Sequence, residues 1–201
     1  MGIKNLKPRL AEIGKIKIGK KGAERQGTGG KKYRLPTKLD HFEVTTLDRD
    51  ENGDFIQDED IMGIIGQNPK SLDIILLYDD IDLNFPTRYA FYLGTTCKCS
   101  GDGETAQRIM KTGEIKEIQC DPDTCEFYQS KKCKIGGTLN CLLKQSSRLG
   151  GVYKFRTHGW HSVNNILSSL QFIQTLTCGV LAGIGLKLTL SGKKAEVEGK
   201  S

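Results

Sequence analysis

Six of the chain's seven cysteines fall between positions 97 and 141, and this crowding constrains the fold more than any other feature. Cys97 and Cys99 form a doublet, Cys120, Cys125, Cys133 and Cys141 follow, and Cys178 stands alone. Thiols so grouped hold a metal or pack as small hydrophobes. The N-terminus, Met1 to Arg25, is basic and lacks an apolar signal core, and no run approaches the roughly 20 apolar residues of a membrane helix. Secretion and membrane spanning are therefore disfavoured. An odd cysteine count without an export signal points to reduced thiols, to be read first as metal ligands or buried side chains. At 201 residues the chain is long enough to bury a core without disulfides.

Zinc takes four soft donors in a tetrahedron, with bonds to sulfur of about 2.3 Å, and short loops bearing cysteines supply them. The segments around Cys99 and from Cys120 to Cys133 are loop-like, rich in Gly, Asp and Lys, as in Ser100-Gly101-Asp102-Gly103 and Asp121-Pro122-Asp123. Cys141 lies instead in a strand-like run, Thr138 to Leu143. The expected ligands are thus Cys99, Cys120, Cys125 and Cys133, with Cys97 as the substitute and Cys141 and Cys178 as apolar fillers. An iron–sulfur cluster also uses four thiolates and stays open as an alternative, as does a set of ordinary buried thiols. A closed four-cysteine site would staple a small core and leaves no coordination position for activating water.

Charge is distributed unevenly. Residues 1–34 carry eleven basic side chains against Glu12 and Glu24, a net of +9, which leaves the rest of the chain at −3 of its total +6. Gly19, Gly22, Gly27, Gly29 and Gly30 interrupt them, and few large apolar groups are present to offset the ordering entropy. A flexible basic arm is expected over 1–34, available for contact with DNA phosphate. From Lys38 the pattern becomes globular. His41 to Leu47, Ser71 to Tyr78, Arg88 to Leu93 and Gly151 to Thr157 read as strands, and Asp58 to Gly66 as a short capped helix. Ser162 is expected to cap a helix whose Val163, Ile166, Leu167, Leu170, Ile173 and Leu176 recur at helical spacing. Its other face, Asn164, Asn165, Ser168, Ser169, Gln171 and Gln174, is neutral, and no charged residue occurs between Arg156 and Lys187. Such a face is either covered by packing or docks a partner protein.

These elements predict an α+β fold: an antiparallel or mixed sheet with one long amphipathic helix and an inserted cysteine-rich zinc knuckle. The organisation expected is the arm at 1–34, a single domain over 35–190 with the zinc-binding insertion at about 97–141, and half of a C-terminal hairpin at 191–201. Either that end frays or the sequence is a fragment.

Two further patterns carry less. Asp48-x-Asp50-x-Asn52-Gly53 with Glu59 fits a calcium loop, but His41 to Leu47 is β-branched rather than helical, and Asn52-Gly53 is the usual signal of a tight hairpin. His41, His158 and His161 stand apart from any nucleophile motif, and Gly101-Asp102-Gly103 lacks the spacing of a phosphate-binding loop. No catalytic residue and no cofactor-binding fingerprint emerges, which speaks against an enzyme.

The order of motifs nevertheless has a counterpart. Leu35-Pro36-Thr37-Lys38-Leu39-Asp40-His41-Phe42, the Arg49-Asp50-Glu51-Asn52-Gly53 turn, Leu83-Asn84-Phe85-Pro86, the Cys99 to Glu104 loop, the Cys120, Cys125 and Cys133 run, and Tyr153 to Arg156 leading into Ser162 to Leu170 follow one another. Together they resemble the phage recombination directionality factors of large serine integrase systems, over most of residues 33–190. The resemblance implies a non-enzymatic accessory protein in the cytoplasm of a bacterial host. Its partner would be the phage-encoded large serine integrase, which it would switch from integration to excision, with no small-molecule substrate. The competing expectation is a zinc-stabilised phage protein of DNA binding or DNA metabolism.

Overall fold

The computed structural model describes residues 10–27, 29–30, 32–148 and 150–192. In chain order the elements are β1 Ala11–Gln26, β2 Lys32–Arg49, β3 Phe55–Gln57, α1 Glu59–Ile65, β4 Ser71–Ile75, α2 Ile81–Asn84, β5 Thr87–Leu93 and β6 Thr96–Gly101. There follow β7 Thr105–Ile109, β8 Ile115–Gln119, α3 Glu126–Gln129, β9 Cys133–Leu143, β10 Gly151–Thr157, α4 Trp160–Leu176 and β11 Gly185–Thr189. The chain forms two compact units. One comprises the described residues to Ile75 with Cys141–Lys154 and those from Gly185, and the other comprises Leu76–Asn140 with Phe155–Ile184.

The first unit is built on a long antiparallel pair, β1 with β2, in register at Lys15 with Thr45 and Ile16 with Val44 and shifted beyond Lys17 and again beyond Lys21. Gly14 and Ile16 on alternate positions are buried, with Phe42, Val44, Val152 and Tyr153 among their core companions. Gly14 is obligatory for this packing, since a Cβ there would lie 2.5 Å from Tyr153 Cε1 and 2.8 Å from the Thr45 carbonyl oxygen. The basic residues of β1 are drawn into pairs: Lys15 with Glu12, Lys21 with Asp54 at 2.8 Å, and Lys17 with Glu43 at 3.8 Å. Lys15 and Arg49 also lie over the Phe55 ring, 4.6 and 4.1 Å from its centroid. Elsewhere in the unit, β4 pairs antiparallel with β11 and with the end of β9, bringing Ile74 beside Leu186 and Leu143. Asp58 caps α1 and Gly66 ends it at φ 83°, the residues that the sequence assigns to those tasks.

The second unit is a meander of antiparallel strands in the order β9-β5-β6-β7-β8, with α2, α3 and α4. Phe85 is fully buried against Gly137, where a Cβ would come within 2.3 Å of the ring. Asn84, also fully buried, organises the turn before α2. Its Oδ1 accepts from the amides of Leu77 and Tyr78, each at 3.2 Å, and its Nδ2 donates to the carbonyls of Tyr78 and Asp80.

Several expectations are overturned. Among the described residues strand accounts for 49% and helix for 18%, so the fold is dominated by a large sheet rather than organised, as an α+β domain, by one long amphipathic helix. The cysteine-rich segment is no inserted knuckle, because β6, β7 and β8 continue the sheet from β5. Residues 11–26 and 32–34 of the expected flexible arm are strand, held by apolar alternation and by ladder pairing that composition does not display. Lys4, Lys7, Arg9 and Lys31 of that arm, and residues 193–201 of the hairpin half, lie outside the described residues. Gly159, not Ser162, occupies the N-cap of α4.

Candidate metal centre and docking face

In the second unit the four cysteines expected as ligands line one cavity of about 20 Å³. Cys99 comes from β6, Cys120 from just beyond β8, Cys125 from the N-cap of α3, and Cys133 opens β9. Four separate stretches of chain thus converge. The register explains why Cys99 and not Cys97 belongs to the set. A bulge in the β5–β6 ladder pairs Phe91 with Cys99 but Tyr92 with Cys97, and adjacent residues of a strand face opposite sides. Phe91 lines the cavity with Cys99, whereas the Cys97 thiol turns away and donates to the Cys99 carbonyl at 3.4 Å.

The rest of the wall is Tyr89, Phe91, Phe127, Gly101, Ala106, Gln119 and Arg108. Gly101 leaves room where a side chain would not fit: a Cβ would stand 2.8 Å from Cys120 Sγ and 2.5 Å from the Thr105 carbonyl oxygen. Burial raises the Cys120 thiol above its ordinary pKa, with Cys99 and Cys125 adding repulsion. Burial likewise pushes Cys133 up to about 11, with Cys125, Cys99 and Cys120 adding to it and Arg108 opposing. For Arg108, burial works against its charge, but the Cys99 and Cys125 sulfurs beside it hold its pKa above the usual value. Its Nε is buried without a hydrogen-bond partner. Among the described residues no three His, Cys, Asp or Glu side chains stand together at metal-holding geometry, so the thiols share a cavity without being at coordination distance. The donor set and the space nonetheless suit a single soft ion: four sulfurs, one cavity near the size of one water, and an orphaned N–H facing them.

The two remaining cysteines differ from each other. Cys141 is a core residue of the first unit, with its thiol pushed up to about 12 by burial and set 3.8 Å from the Tyr153 carbonyl oxygen. Cys178 is exposed at φ 54° beyond the end of α4, so it is not the apolar filler expected. The calcium-like segment is a hairpin turn between β2 and β3. Asp50 Oδ1 accepts from the amides of Asn52 and Asp54, Gly53 adopts φ 72°, and Lys21 and Arg49 both donate to the Gly53 carbonyl. Two cations at this carbonyl oppose a calcium reading. His41 pairs with Asp40, His158 lies against Gly136, and His161 meets Trp160 edge to face, so the three do not converge.

The neutral helix is open on one side. Of its residues only Val163 and Leu170 are buried, while Asn164, Asn165, Ser168, Ser169 and Gln171 are exposed, as are Phe172 and Leu176 at 64% and 66%. Leu176, which helical spacing assigns to the core, lies with Ser168 and Phe172 at i, i+4 and i+8 on the outer face. Gln174 fixes the helix by donating to the Asp79 carbonyl at 2.6 Å. Charge patterning marks this face in the sequence, but its exposure follows from packing. No described helix is long and apolar enough to cross a membrane.

A model of the Gp3-like family, described as recombination directionality factor-like, matches residues 13–201. No curated protein and no solved structure matches the chain.

Proposed function

The chain belongs to the recombination directionality factor-like family, and we propose that it binds a phage-encoded large serine integrase and switches site-specific recombination from integration to excision. The observation that carries this reading is the extent of the family match, which runs through both compact units. The protein acts by contact and the integrase performs strand cleavage. A factor of this kind needs differential affinity for two arrangements of the integrase–DNA complex, and moving a ratio from 1:99 to 99:1 takes about 5.5 kcal/mol. An exposed uncharged face with apolar side chains is suited to supplying it, because neutral polar groups cost less to desolvate than charged ones. The outer side of α4, with Ser168, Phe172 and Leu176, is the surface we assign to that contact.

The test is recombination in vitro between attL and attR sites with the cognate integrase, with and without this protein. Excision that depends on the protein supports the reading, and unchanged excision removes it. Ser168→Glu, which places a charge on the exposed face, is expected to abolish the switch while leaving the unfolding midpoint within error of wild type. Steeply salt-dependent binding to naked duplex, with no effect on recombination, would instead favour a DNA-binding role.

A further inference from the structure

We propose that Cys99, Cys120, Cys125 and Cys133 hold one structural zinc ion and that Arg108 offsets part of the negative charge of the zinc–thiolate group. Two observations beyond the cysteine count carry this. First, Gly101 leaves open a space in the cavity wall that a Cβ would fill, directly beside Cys120 Sγ. Second, Arg108, paired with Cys99 across the β6–β7 ladder, sits in the wall that the four cysteines line, and its Nε is buried without a hydrogen-bond partner. A neutral thiol is a weak acceptor, whereas a metal-bound thiolate is a strong one. The orphaned N–H therefore has its partner once the sulfurs are ionised.

The arithmetic of charge agrees. Four thiolates around a divalent ion leave a net charge of −2 in a half-buried site, and a guanidinium in the wall offsets half of it. Cavity size selects the occupant: about 20 Å³ suits one ion, while an iron–sulfur cluster contains several heavy atoms. Zinc is favoured over harder divalent ions by the all-sulfur donor set. Closing on the ion requires the sulfurs to approach by rotation about χ1, the one heavy-atom torsion a cysteine side chain has. The consequence is mechanical, because the ion ties β6, the β8 exit, α3 and β9 to one point and leaves no open coordination position.

Metal content is read without integrase or DNA, so this proposal and the recombination reading fail separately. Elemental analysis of the purified full chain is expected to find about one zinc per chain. Cys99→Ser and Cys133→Ser are expected to lose it, and Cys97→Ser to keep it. Less than about a fifth of an equivalent, iron in place of zinc, or zinc retained by both serine variants overturns the assignment. Because those variants risk misfolding, cobalt exchange into the wild-type chain provides the second readout. Visible bands of a tetrahedral site with sulfur-to-metal charge transfer support four thiolates, and the weak spectrum of octahedral cobalt overturns them. Arg108→Gln is expected to keep the four-sulfur cobalt spectrum but to lower zinc affinity about 10- to 100-fold in chelator competition. Unchanged affinity removes the role of Arg108.

Discussion

The guanidinium carbon of Arg108 lies 4.8 Å from the centroid of the Phe127 ring, whose other neighbour is Phe91, stacked at 4.8 Å with an interplanar angle of 17°. Side chains from β7, α3 and β5 thereby close one wall of the cysteine cavity. Helix α3 spans four residues and has no side-chain cap, so it is too short to persist alone and depends on this stack. Phe127→Ala is expected to destabilise the protein by about 1–3 kcal/mol, below the cost of a fully buried Phe because the ring is half-exposed. Urea denaturation followed by circular dichroism measures it. An unchanged midpoint would show that α3 is held by something else.

Gly14 lies beneath the buried Tyr153 ring. Gly14→Ala is expected to cost about 1–3 kcal/mol, because neither the ring nor the Thr45 carbonyl can retreat without disturbing the β1–β2 ladder. Ordinarily Gly→Ala in a strand is neutral or stabilising. A variant as stable as wild type would therefore contradict the packing.

Donor type and loop-like setting single out Cys99, Cys120, Cys125 and Cys133 in the sequence, and the structure places these four along one cavity. Spacing ranks Cys99 ahead of Cys97 without a geometric reason, and that reason lies in a ladder bulge opposite Phe91 and Tyr92, which the sequence does not display. Strand β1 was hidden for another reason. Its lysines read as a solvated arm, yet they pair with Glu12, Glu43 and Asp54, and the last two are distant in the chain. The alternation from Gly14 to Ile16 was present but short, and a buried glycine gives no hydrophobic signal. In β6 the small and polar residues Thr96, Lys98, Ser100 and Gly101 mask a two-residue period, so the segment around Cys99 reads as a loop in the sequence although it is strand.

Asp79 fixes the segment after α4, with its Oδ1 accepting from Leu181 N at 2.8 Å and Ala182 N at 2.9 Å. The Ala182 amide first, and the Leu181 amide second, hold its carboxyl below the ordinary value against an opposing effect of burial. A depressed carboxyl contributes stability that is present above its unfolded pKa and is lost as pH falls through its folded one. Amide exchange at Leu181 and Ala182, compared with neighbouring amides, is expected to lose protection below about pH 4. Asp79→Asn should remove the pH dependence at those two amides. Protection equal at pH 7 and pH 3 would show that the carboxylate charge is not involved.

Asp58 is 1% exposed and pairs with Arg148 Nη1 at 2.9 Å, while Arg148 remains 40% exposed. The pair is unequal on disruption. Arg148→Ala strands a buried carboxylate and is expected to cost about 2–4 kcal/mol. Asp58→Asn retains an N-cap acceptor for Ile61 and leaves an arginine that water reaches, so it should cost about 1–2 kcal/mol. The double variant should then be more stable than the sum of the two losses implies, giving a non-zero coupling in a double-mutant cycle. Strict additivity would mean that the pair contributes nothing in solution.

Cys141 and Cys178 provide a chemical test of where the core lies. Alkylation proceeds through the thiolate and needs access. Cys178 is exposed, while Cys141 is wholly buried with its thiol pushed up to about 12 by that burial, so its thiolate is strongly disfavoured in the folded chain. With iodoacetamide and peptide mass mapping, Cys178 should be modified first, and Cys141 only once denaturant unfolds the chain. The order is independent of any metal, because neither thiol lines the cavity of Cys99, Cys120, Cys125 and Cys133. Burial raises the thiol and blocks the reagent at once, so native modification of Cys141 would have to proceed through opening of the first unit. Its rate should then follow the unfolding free energy and rise in Gly14→Ala, whereas the Cys178 rate should stay constant.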